Sequence, residues 1–401
     1  MQSSGWLPGD GSLREDHERG EKMAKNKIML FACDPGGANV IFPLYAPLVR
    51  KGYDVQLYGK ETALKIFEKA GCPAKELPAS NSGSVLAFLE KDRPDFIITG
   101  TSANDKTERY LWQESRKLGI DSFAVLDQWV NYRIRFSKYG LNERRFYDKD
   151  KAIEYLPTAI LVMDDFAKEE MIDEGIDPSM IIITGQPYLE EIVKRSSGID
   201  KEQLNMIRES IGVAKDAKVI TFAPDSVATT CGDTDDPSNN LGYTDVTILE
   251  KILTELESIC LQIPGNLTFI IRPHKTIQAQ IYEDVIKKHN NGYQLVINNE
   301  IDEIKSILIS DIVLGMYSMY LIEANLLNIP ILSVQIGLKT DKNPFILDRR
   351  GIVKSILDQT TLREALKSFG SDKFKGGNKL ALIKQPAQNI INNMEKYLCQ
   401  N

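Results

Sequence analysis

Histidine is scarce in this chain: His17, His274 and His289 are the only three in 401 residues. Its five cysteines (Cys33, Cys72, Cys231, Cys260 and Cys399) are scattered, with no CxxC pair. That pattern excludes a disulfide framework and a Cys/His zinc site, and it suits a reducing compartment. No apolar run reaches the ~18 residues of a spanning helix. The first twenty residues lack the apolar core of a signal peptide, so a cytoplasmic location is expected. No basic amphipathic helix stands out, and peripheral membrane contact stays open. Basic residues do not dominate either. The chain has 49 Lys and Arg against 56 Asp and Glu, a net charge of −7, which argues against nucleic acid as a partner. A GxGxxG turn, a Walker lysine and a GxSxG elbow are all missing. Dinucleotide, P-loop and α/β-hydrolase chemistries therefore lose their sequence basis.

What the chain does contain is apolar strand-like runs alternating with helical patterns. KIMLFACD, VQLYG, DFIITGT, DSFAVLD, AILVMD and MIIITG read as strands separated by helices. A second series follows: KVITFAPD, LTFIIRPH, YQLVINN, DIVLGM and PILSVQI. The strands are apolar on both faces, as in a doubly wound parallel sheet covered by helices. SSGIDKEQLNMIRESIGV reads as one helix opening the second half. The expected division is a disordered extension over 1–22, a Rossmann-like domain over 23–188, a second over 189–380, and a closing helical segment over 381–401. The long polar stretch Val227 to Thr244 follows the first strand of the second half. It reads equally as a ligand-covering loop or a disordered insertion.

The chemistry-bearing residues cluster where strands end. DIVLGMYSMYLIEANLLNIPILSVQIG, Asp311 to Gly337, reads as strand, sharp turn, helix, turn and strand. A helix that begins just past a parallel strand presents free N–H groups and a positive dipole end, which suit a phosphate. Tyr317, Ser318 and Met319 lie at that turn, and Glu323 lies further along the helix. Arg272, His274 and Lys275 end another strand, and Asp225 and Ser226 a third. In the first half, DPGGAN places Asp34, Gly36, Gly37 and Asn39 between a strand and a helix. The two glycines would allow a close backbone approach to a ligand. Thr101 and Ser102 follow a further strand, with hydroxyls that suit a sugar. LDQWVNYRIRF places Asp127, Trp129 and Asn131 in what reads as a substrate-facing loop. A tight turn, simple helix capping and plain core packing would account for the same letters.

Two α/β halves, a glycine-rich first loop, a GQPYLEEI crossover, RPHK and MYSMYLIEA together resemble the GT-B glycosyltransferase superfamily. Within it, RPHK is similar to the HP-type motif of sialyltransferases and polyol-phosphate transferases, with Lys275 in place of the proline. The resemblance implies two Rossmann-like domains facing across a cleft, with the last helix crossing back to the N-terminal domain. It implies a nucleotide donor on the second half and a glycan, lipid or protein acceptor on the first. The activity implied is metal-independent transfer of a sugar or polyol phosphate in surface polysaccharide synthesis, without a cofactor. Ser318 would hold phosphate and Glu323 the ribose or sugar. Asp34, or failing it Asp127, would deprotonate the acceptor, and His274 would assist the departing phosphate. A UDP-GlcNAc 2-epimerase-like activity and a non-catalytic nucleotide-sugar-binding subunit are the alternatives. The oligomeric state is open.

Overall fold

The computed structural model describes residues 25–225, 241–263, 265–273, 280–289, 292–369 and 378–400. The extension over 1–22, Ser226, His274, Lys275 and most of the 227–244 stretch lie outside these.

The first sheet has seven parallel strands: β1 (Lys27–Ala32), β2 (Asp54–Gly59), β3 (Lys75–Glu76), β4 (Phe96–Thr99), β5 (Asp121–Val125), β6 (Ala159–Val162) and β7 (Ile181–Ile183). Their order is β3-β2-β1-β4-β5-β6-β7. The second sheet has five: β8 (Lys218–Phe222), β9 (Leu267–Ile271), β10 (Gln294–Ile297), β11 (Ile312–Gly315) and β12 (Ile331–Ser333). Their order is β10-β9-β8-β11-β12. This is a doubly wound GT-B architecture. The strand order reverses beside β1 in one sheet and beside β8 in the other. Loops leaving the strands at such reversals open a crevice where ligands bind.

Almost every strand is shorter than its apolar run suggests. β1 stops at Ala32 and β8 at Phe222, so Cys33-Asp34 and Ala223-Pro224-Asp225 leave their sheets as loops. The two-residue edge strand β3 carries no apolar signal. The helix expected over 196–213 is shorter, Lys201–Ser210, and a separate helix precedes it. Pro187–Ser196 starts on a Gln186 cap, and Lys201–Ser210 starts on an Asp200 capping box. The 188/189 division falls inside the first of these.

That helix is the pivot of the molecule. Leu189 and Ile192 are buried in one apolar cluster with Ile41 and Leu44 of the first half, Ile304, Tyr320 and Leu321 of the second, and Ile390 and Met394 near the C-terminus. The last helix, Pro386–Leu398, packs on the first domain. Tyr397 meets Phe96 and Phe123 edge-on at 6.4 and 5.2 Å. Glu395 accepts from Lys51 Nζ at 2.7 Å and from the Tyr53 hydroxyl at 2.9 Å.

Candidate active site in the cleft

On the first sheet, the loops after β1, β4 and β5 converge. Asp34 caps the Pro35–Arg50 helix, and its Oδ1 accepts from the Gly37 N–H at 2.8 Å. Glycines at this edge let the loops approach one another closely. A Cβ on Gly36 would lie 1.9 Å from Asp127 Oδ2, and a Cβ on Gly100 would lie 2.6 Å from the Gly37 Cα. The glycines let three loops close on one another. Asp127 is buried, with its Oδ1 2.7 Å from Arg135 Nη1. Burial pushes its carboxyl up, the Arg135 charge opposes this, and nearby Asp34 adds to the rise. Arg135 also donates to the Thr101 hydroxyl at 3.0 Å and to the Asn131 carbonyl at 3.2 Å.

Several expected sugar contacts are thus used internally. Thr101 is held by Arg135, and the Ser102 N–H donates to Glu108 Oε2 at 3.1 Å. Trp129 is 2% exposed, and its indole N–H donates to both oxygens of Asp164 at 3.1 Å. It is a core residue, because a buried indole needs an acceptor and Asp164 supplies one. Asn131 takes a left-handed turn (φ 57°), and its Oδ1 accepts from Arg144 at 3.4 Å. Asn39 is half-buried on the first helix.

Glu108 was not among the expected residues. Its carboxyl is 1% exposed, and among the described residues Oε1 has no hydrogen-bond partner. Burial first, then the charges of Asp34 and Asp105, hold its pKa well above the ordinary carboxylate range. A signal existed in the sequence. Glu108, Leu111, Trp112 and Ser115 share one helical face, so a carboxylate lies on an apolar stripe.

On the second sheet, β8 and β11 end side by side. Tyr317 and Ser318 form the turn before the Met319–Leu326 helix. The Ser318 side chain does not cap its own helix. Instead Asp225 reaches across from β8, and its Oδ2 accepts from the Tyr317 N–H at 2.9 Å. Desolvation pushes the Asp225 carboxyl up to about 7, against the hydrogen bond from Tyr317 and the nearby Ser318 and Met316. Met319 is half-buried at the helix start. Arg272 donates to the Ile301 carbonyl at 2.9 Å and lies over the Tyr320 ring at 5.6 Å. Glu323 is 2% exposed, beside Tyr188 of the Pro187–Ser196 helix, and its Oε2 has no hydrogen-bond partner among the described residues. Burial, then Glu303, push its carboxyl far up. Here Glu323 lies at the domain junction and does not open to the cleft.

The two halves are joined by a charged clamp that sequence reading also missed. Arg349 makes a two-pronged pair with Glu170 (3.1 and 3.0 Å) and donates to the Trp129 carbonyl at 2.8 Å. Lys342 meets Glu170 at 2.7 Å, and Arg350 pairs with Asp164. A polar network runs from this clamp to the Ser318 turn. Arg349 donates to the Asn343 carbonyl at 3.0 Å, Asn343 Oδ1 accepts from Gln335 at 3.0 Å, and Gln335 donates to the Met316 carbonyl at 3.4 Å.

Residues 172–355, a little under half of the chain, match the family model of CDP-Glycerol:Poly(glycerophosphate) glycerophosphotransferase. None of the curated proteins matches the sequence. Solved structures share the fold at low identity. A UDP co-structure of MnaA from S. aureus superposes with a TM-score of 0.64 at 14% identity, covering 93% of this chain and 97% of that one. UDP-GlcNAc 2-epimerase from Neisseria meningitidis, bound to UDP-GlcNAc, gives 0.62 at 13%, covering 92% and 100%. A glycosyltransferase from Rickettsia africae gives 0.54 at 12%, covering 94% and 100%. Two parallel-sheet domains in this order give the chain the GT-B fold, and residues 172–355 within it are similar to the glycerophosphotransferase family.

Proposed function

We propose that the protein transfers a polyol phosphate or a sugar from a nucleotide-activated donor to a hydroxyl of a glycan, lipid or protein, in the synthesis of a cell-surface polymer. One observation carries this reading. The segment matching the glycerophosphotransferase model contains the Asp225, Arg272 and Ser318 edge, the Gln335 network and the Arg349 end of the clamp.

Chemically, the acceptor hydroxyl attacks the phosphorus bearing the polyol. For a sugar donor it attacks the anomeric carbon instead. The new bond to oxygen forms as the bond to the departing nucleotide phosphate breaks. The hydroxyl proton passes to a carboxylate of the first domain, and the electron pair leaves with the nucleotide. Asp34 is the base in this reading, because Asp127 is already committed to Arg135. Such a base contributes about 10²–10⁴-fold. Arg272, the Ser318 turn and the helix behind it, with His274 and Lys275, stabilise charge on the leaving phosphate. Fixed donors aimed at developing charge supply the larger part of such catalysis. The reaction needs no cofactor and takes place at the cytoplasmic side.

The test is a thermal-shift screen against CDP-glycerol, CMP-, UDP-, GDP- and dTDP-sugars and the free nucleotides, followed by turnover of the donor that binds. Stabilisation by one nucleotide class, with Asp34→Asn losing transfer while keeping the shift, supports the reading. No shift with any nucleotide overturns it. Release of a free 2-epimer from UDP-GlcNAc would assign the epimerase activity instead.

A further inference from the structure

The turn assigned to the donor phosphate already holds an acidic side chain. Asp225 Oδ2 accepts from the Tyr317 N–H at 2.9 Å, and Ser318 and the Met316 backbone lie close enough to favour the charged form of its carboxyl. Among the described residues these neighbours are backbone N–H groups and a hydroxyl, with no ion pair to Asp225. They are also the groups that a phosphate at the start of the Met319–Leu326 helix would use. Asp245 lies near enough to add its own negative field, and it is fixed by the Tyr282 hydroxyl at 2.7 Å. A diphosphate and an ionised Asp225 therefore want the same donors, and their like charges oppose sharing them.

Resting on the donor-site reading above, we propose that Asp225 is a resident competitor for the phosphate cradle, an internal anion that keeps the Met316–Ser318 turn in its anion-binding shape until the donor's diphosphate displaces it. The acid makes donor affinity depend on how much charge the ligand brings. A monophosphate displaces it poorly and a diphosphate well. The neutral isostere Asp225→Asn keeps the shape and removes the competing charge.

The experiment is titration calorimetry at pH 8 on the full chain, wild type and Asp225→Asn. The probes are CDP and UDP, the matching monophosphates and nucleosides, and inorganic pyrophosphate. The expected result is at least tenfold tighter binding of the diphosphate and of pyrophosphate to Asp225→Asn. The gain should be smaller for the monophosphate and absent for the nucleoside. Equal or weaker diphosphate binding by a folded Asp225→Asn overturns the proposal while leaving the donor site standing. A gain of equal size for the nucleoside also overturns it, since relief of charge would not help an uncharged ligand. Failure of both proteins to bind any nucleotide overturns the donor-site reading and this proposal together. Circular dichroism checks the fold, and Asp225→Ser is read in the same way if the asparagine variant does not fold.

Discussion

Cutting the clamp between the domains should cost more than cutting a surface ion pair. Arg349 and Glu170 have side chains only 9% and 11% exposed. Exposed pairs contribute about 0–1 kcal/mol. Breaking a buried pair from one side costs about 3–5 kcal/mol, because the remaining charge is stranded. Here neither partner is fully stranded. Without Arg349, Glu170 keeps Lys342 at 2.7 Å and the Tyr132 hydroxyl at 2.7 Å. Without Glu170, Arg349 keeps the Asn343, Pro344 and Trp129 carbonyls. The single variants Arg349→Met and Glu170→Gln should thus fall just below that range, at about 2–3 kcal/mol each. Their coupling energy should be about 1.5–2 kcal/mol, within the span for residues in direct contact. Melting temperature is a blunt reader of this. At about 2.1 cal/mol/K of unfolding entropy per residue, a chain of this size moves by only about 1 °C per kcal/mol. Urea unfolding of the full double-mutant cycle, followed by two probes, is the assay. Hydrogen bonds from Lys342, Tyr132 and Arg349 outweigh burial and hold the Glu170 carboxyl below its usual range. Its contribution is therefore full above the ordinary carboxylate pKa and fades as the pH falls through the lowered value. A coupling below about 0.5 kcal/mol at neutral pH would show that the clamp behaves as a surface pair, and the reasoning would fail.

Two further perturbations probe the first-domain edge. Gly100→Ala places a methyl 2.6 Å from the Gly37 Cα, which is backbone and cannot swing away. It should destabilise by about 1–3 kcal/mol in denaturant titration, and a neutral effect would mean that the three loops are not closed on one another. For Glu108 the sign is the reverse of Glu170. Its folded pKa is raised, so its contribution to stability is full below the ordinary carboxylate pKa and is lost as the pH rises through the raised value. Glu108→Gln does not titrate. Its advantage over wild type should therefore grow from pH 4.5 to pH 8, and an advantage that shrinks over that range would refute the buried-acid picture.

The alternation of apolar runs carried the fold, because buried parallel strands must be apolar on both faces and little else in a chain is. The ends of those runs were less legible. KIMLFACD and KVITFAPD continue apolar past the last ladder bond, since Cys33, Ala223 and Pro224 are buried as loop residues. Asp34, Asp127, Asp225 and Ser318 were visible as polar residues just beyond strands. Their partners were not, because pairing is set by which strands become neighbours. Asp127 meets Gly36 and Arg135 only once β5 lies beside β4 and β4 beside β1. Trp129 carried the letters of a stacking platform, yet Asp164, thirty-five positions on, makes it a core residue. The clamp joins positions 179 apart in sequence, a separation at which no local pattern survives.

The seating of the last helix sets the order in which this molecule can be made. Pro386–Leu398 is a thirteen-residue helix that covers Phe96 and Phe123, side chains belonging to strands finished some 270 residues earlier in the chain. A ribosome releases these strands with that face uncovered and delivers its cover only after the whole second domain. Domains usually fold as units in the order of synthesis. Of the two domains, the one made earlier is the one completed later, and removal of Pro386–Leu398 would register as a defect in the N-terminal half.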